Sequence, residues 1–136
     1  MSHKTLIIVQ SIPEWNTAFF AHVSKYMPTI ADTVSMTDSF DHAIDLAPKK
    51  GKLTVVTSNM FHDKFSKHYG EVKEKMDENK KDGNTLAKLI KEINPEAKVY
   101  VFSEFEPENK KHITGFIKKD RGPILDNVKR AVDALL

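Results

Sequence analysis

Positions 6–9 read LIIV, an apolar run with no polar interruption. Successive side chains of a strand point to opposite faces, so this segment needs cover on both sides. That requirement selects a parallel sheet held between two layers of helices. LTVV at 53–56 and KVYVFS at 98–103 read as further strands of the same kind, and weaker strands are expected at about 30–36 and at 113–117.

Helical periods fill the intervals. Trp15, Ala18, Phe19, Val23 and Tyr26 share one face of a helix limited by Pro28, and Ser11 with Glu14 has the spacing of a capping box at its start. Phe40, Ala43, Ile44 and Ala47 form a second, short amphipathic helix ending at Pro48. Leu86, Leu89, Ile90 and Ile93 define a third, begun near Asn84 and stopped by Pro95. Pro123 opens the last, with Leu125, Val128, Val132 and Leu135 expected to face inward. Residues 61–82 read as an inserted helical segment, because Phe61, Phe65, Tyr69, Val72 and Met76 make a thin stripe at helical spacing.

Strand and helix thus alternate through five strands, which predicts an α/β fold: a doubly wound parallel sheet, three-layered and flavodoxin-like, spanning 1–136 as one domain. In such sheets chemistry gathers where strands end and strand order reverses. The residues at those ends are Gln10-Ser11, Thr57-Ser58-Asn59, Ser103-Glu104 and Lys118-Lys119.

Several classes are excluded by what the chain lacks. Without cysteine there is no disulfide, zinc-thiolate site or thiol nucleophile, in keeping with a reducing cytoplasm. The formal charge of +2 is too small to argue for nucleic acid, and no aromatic residues interleave with the lysine clusters at 49–52, 80–81 and 118–121. No apolar run is long enough to span a bilayer, and the first ten residues do not read as a secretory signal. His3, His22, His42, His62, His68 and His112 show no metal-ligand spacing. No G-x-S-x-G elbow is present, and no glycine-rich loop follows the first strand.

The strand ends resemble those of response-regulator receiver domains, in a degenerate or pseudo-receiver form. In receivers the first strand ends in an acidic pair that binds magnesium; IIVQS places Gln10 and Ser11 there. The third strand ends in the aspartate that accepts phosphate, in a pattern like LLDxxMP; VVTSNMF places Thr57 there and matches Met60. VYVFS supplies Ser103 where receivers carry a Thr or Ser that senses the phosphoryl group. GFIKKD supplies Phe116 at the aromatic switch position and Lys119 at the lysine. Only fifteen residues separate Ser103 from Lys119, so the receiver's fourth helix is expected to be shortened or missing.

The resemblance implies a site stripped of its chemistry. Gln10 and Ser11 offer neutral oxygens where a hard divalent cation needs carboxylates, so magnesium binding is expected to be weak or absent and no cofactor is expected. The Thr57 alcohol has no aligned base and is not expected to accept phosphate. Lys119, left without these carboxylates, is expected to hydrogen-bond Gln10, Thr57 and Ser103 or to point to water, with Glu104 and Asp120 as alternative partners. Plainer roles stand beside these: Ser11 as a helix N-cap, Thr57 and Ser58 bonded to local backbone, and Phe116 as a half-buried aromatic.

The expected function is therefore a non-enzymatic, phosphorylation-independent signalling module that works through protein partners, a homodimer among them. Phe61, Phe65, Tyr69, Val72 and Met76 are its candidate contact surface, or else a stripe packed on its own domain. The alternative is a small anionic ligand or nucleotide held near Thr57, Ser58, Asn59 and Lys119.

Overall fold

The computed structural model describes residues 3–27, 29–59 and 82–136. Five strands, β1 Lys4–Val9, β2 Thr33–Thr37, β3 Lys52–Thr57, β4 Lys98–Ser103 and β5 Gly115–Lys118, form one parallel sheet in the order β2-β1-β3-β4-β5. The chain leaves β1 for β2 on one side and returns to β3 on the other. The reversal of strand order therefore falls between β1 and β3, where Val9 pairs with Thr57.

Alternation along β1 separates two cores. Ile7 and Val9 join Val55, Val99 and Phe40 on the face covered by α2 (Phe40–Leu46) and α3 (Gly83–Ile93). Leu6 and Ile8 join Val56, Phe102 and Ile117 beneath α1 (Pro13–Val23) and α4 (Ile124–Leu135). A side chain's position in the pleat thus fixes which helical layer it meets. The anticipated three-layer architecture is present, with four α-helices among the described residues.

Close approach explains two glycines. Gly51 turns the chain into β3 at φ 95°, a region that penalises a Cβ. Gly83 opens α3 against the sheet, where an added Cβ would stand 2.6 Å from Val101 Cγ2.

Three expectations are corrected. Ser11 is not the N-cap of α1: Ile12 holds that position without a side-chain cap, because Pro13 takes the first helical turn, where its missing N–H costs nothing. Leu125 is 47% exposed, and Ile124 packs on the core in its place. β2 and β5 begin later than expected, at Thr33 and Gly115. The expectation of a shortened or missing fourth helix holds in its stronger form, since residues 104–114 carry no helix. The expected insertion helix, with Phe61, Phe65, Tyr69, Val72 and Met76, lies outside the described residues, apart from Asp82, whose carboxylate accepts from Thr85 N–H at 2.8 Å and caps α3.

Candidate functional site

Gln10 is the centre of the carboxyl edge of the sheet. It follows β1 directly and is fully buried. Its backbone N–H donates to Thr37 O (3.2 Å) and to Asn16 Oδ1 (3.1 Å). The Asn16 amide in turn donates to the carbonyls of Gln10 and Thr37, both at 3.0 Å. One buried asparagine on α1 therefore ties the ends of β1 and β2 together. Nothing in the sequence pattern marked Asn16 except its place beside apolar Trp15 and Phe19.

The Gln10 side chain meets the far side of the sheet. Its Oε1 accepts from Lys119 Nζ at 2.8 Å and from Ser58 Oγ at 3.4 Å. The opposite amide orientation would aim an NH2 group at an ammonium, so the donors fix the assignment. Nε2 is then left buried without a hydrogen-bond partner among the described residues. Ser58 Oγ also accepts from the Ser11 N–H at 2.9 Å, and Ser11 Oγ lies 3.4 Å from it. Ser11 serves the strand junction and not the helix start.

Lys119 reaches Gln10 across an aromatic floor. Its Nζ lies 4.2 Å from the centroid of Trp15 and 4.9 Å from that of Phe102, and these two rings meet edge to face at 5.5 Å. Burial pushes the Lys119 ammonium down to about 8, and the nearby Glu104 carboxylate opposes that shift. Asp120 does not help, because it pairs with Arg130 Nη1 at 3.0 Å. Asn127 clamps the turn that follows: its Oδ1 accepts from Asp120 N–H (2.7 Å), and its Nδ2 donates to the carbonyls of Asp120 (3.1 Å) and Pro123 (3.2 Å).

Thr57 and Ser103 stand apart from this group. Thr57 is fully buried, and its hydroxyl donates to the Ser58 carbonyl at 3.0 Å. Ser103 Oγ accepts from Phe105 N–H at 3.4 Å, and Phe116 is half-buried on β5. Strand alternation explains the division. Leu53, Val55 and Thr57 share the α2/α3 face, as do Val99 and Ser103, whereas Gln10, Ser58 and Lys119 continue the α1/α4 side begun by Ile8, Val56 and Ile117. Of the six strand-end residues expected at the site, Lys119 meets Gln10 and Ser11 is linked to Gln10 through Ser58; the Thr57 hydroxyl turns to the Ser58 carbonyl, and Ser103 and Phe116 do not join them.

A divalent cation does not fit this arrangement. Gln10 Oε1 already accepts from an ammonium, and no acidic side chain stands at the end of β1 or β3. Among the described residues no three His, Cys, Asp or Glu side chains gather as a metal ion would require.

A similar fold occurs in proteins of known structure. A CheY-like response regulator receiver domain protein from Methanospirillum hungatei superposes with a TM-score of 0.61 at 13% identity, over 97% of this chain and 94% of that one. The isolated REC domain of RcsB from Salmonella enterica serovar Typhimurium, in the presence of the phosphomimetic BeF3-, superposes with a TM-score of 0.56 at 18% identity, over 99% of this chain and 88% of that one. At such identities the likeness is one of fold. No family model matches the chain, and no curated protein matches it. No helix among the described residues is long and apolar enough to cross a membrane.

Proposed function

We propose that this receiver-like domain is a non-enzymatic signalling module that acts through protein contacts and independently of phosphorylation. One observation carries the reading: the Lys119 ammonium donates to the Gln10 side chain, where a carboxylate would be needed to hold a metal ion. The third strand supports it, since the Thr57 hydroxyl is buried and committed to a backbone carbonyl. An alcohol so placed is neither ionised nor aimed at a phosphoryl donor. Function then falls to the surface, where the absence of a helix at 104–114 leaves the loop residue Phe105 76% exposed.

Incubation with magnesium and acetyl phosphate, followed by intact mass measurement, tests the reading. The expected result is no gain of a phosphoryl group; stoichiometric phosphorylation of Thr57 would overturn it. A second reading, a small anion held at the strand ends, rests on the unpartnered Gln10 Nε2 beside Lys119. It predicts a saturable thermal shift with phosphate or a nucleotide, lost in Lys119→Met.

A further inference from the structure

The amino edge of the sheet, opposite Gln10 and Lys119, holds a cavity of about 250 Å³. Strand register builds it. Lys4 pairs with Lys52 and Leu6 with Thr54 across β1 and β3, so all four side chains point to the α1/α4 side, where Leu6 joins the core. The end of α4 closes the space from that side: Leu135 and Ile30 pack on the same core and wall the cavity, and Thr29 lines it from the turn before β2.

The two amines at this edge lack acids. Neighbouring strands lie about 4.8 Å apart, so lysines directly opposite one another repel. Asp32 spends its Oδ2 on the Lys4 backbone N–H at 2.9 Å, and Lys4 Nζ reaches the Thr29 carbonyl only at 3.4 Å. No described acidic side chain forms an ion pair with Lys4 or Lys52. Lys98, opposite Thr54 on β4, adds a third cation to the same side of the sheet. Paired cations on one side and an apolar wall on the other describe a ligand with an anionic head and a short carbon chain. A phosphate places two charges on one head, as closely opposed lysines require, where a carboxylate places one. Benzene fills a cavity of about 150 Å³, so this one takes a molecule of about ten heavy atoms, the size of glycerol phosphate and well short of a nucleotide.

We propose that the amino edge binds a small phosphate monoester, its dianionic head between the Lys4 and Lys52 amines and its carbon skeleton along Ile30 and Leu135. The head accepts charge-assisted hydrogen bonds from both ammonium groups and relieves their repulsion. Thr54, half-buried two residues along β3 from Lys52, offers it a hydroxyl. This site is separate from the strand ends at the carboxyl edge and stands whether or not the domain signals.

Glycerol phosphate is the probe, titrated into the intact chain at constant ionic strength while amide NMR spectra are recorded. The expected result is saturable shifts at Lys4, Thr5, Thr29, Lys52 and Thr54, with none from glycerol. Lys52→Gln, a change at an exposed side chain, should weaken binding about tenfold by removing a charged donor, and Lys4→Gln should do the same. Lys98→Gln, outside the cavity lining, and Lys119→Met, at the opposite edge, should leave binding unchanged. Shifts that grow linearly with concentration would overturn the proposal, as would shifts centred on Ser58 and Lys119. Equal weakening by Lys52→Gln and Lys98→Gln would also overturn it, since that pattern reports a general basic surface and not this cavity.

Discussion

At the scale of single residues, Lys119 and His22 are both ionisable groups held away from their ordinary ionisation by burial. Lys119 falls from 10.5 to about 8, so between those values the unfolded chain binds more protons than the folded one. Stability therefore rises with pH through that window and is lowest below it. Lys119→Met should remove the rise and stabilise the protein by about 1 kcal/mol at neutral pH, since an apolar side chain suits the Trp15 and Phe102 floor better than an ammonium does. Urea titrations at pH 7, 9 and 10 would measure both effects. His22 is buried between α1 and α4, meets Tyr26 edge to face, and leaves Nδ1 without a hydrogen-bond partner among the described residues. Burial pushes its ionisation below 6.5, and the Lys25 and Lys129 cations push it further, against Asp133. The neutral form favours the fold, so stability is full above 6.5 and declines as the pH falls through that value toward the folded one. His22→Gln should flatten this acid limb in a stability profile from pH 7.5 to 4.5.

At the scale of elements, buried asparagines fasten the loops that the strands leave behind. Asn16 joins the ends of β1 and β2, Asn94 Nδ2 donates to the carbonyls of Pro48 and Gly51, and Asn84 Oδ1 accepts from the His112 N–H. The last of these ties α3 to the connection between β4 and β5, which has no helix to order it. Asn127→Ala should cost about 2 kcal/mol, because it strips partners from several backbone groups in the turn after Lys119. Its urea midpoint would report the loss. Gly83→Ala should cost about 1–3 kcal/mol by overpacking against Val101. These fastenings are where sequence reasoning fell short. LIIV and LTVV announced buried parallel strands because apolar alternation is absent, and their helices followed from spacing and prolines. An amide inside a helix carries no such mark: Asn16 and Asn127 look solvent-facing until the loops they hold are in place. Ser11 misled for a related reason, since its spacing to Glu14 suits a cap, yet Pro13 and Ser58 decide where it goes.

At the scale of the whole molecule, a receiver-like sheet carries strand ends that do not converge as one site. Lys119 and Gln10 were recognisable as candidates only through their places at strand ends, and their pairing was among the expected outcomes. The separation of Thr57 and Ser103 from Lys119 was not foreseen, because it depends on which side of the pleat each faces at the end of its strand. The Lys119 ammonium donates to Gln10 Oε1, a neutral oxygen, and the proposed independence of phosphorylation rests on that pairing. The most direct test is an amide NMR titration with magnesium and beryllofluoride. The account predicts no saturable shifts at Thr57, Ser58, Ser103 or Lys119; saturable shifts centred on those four residues would contradict it.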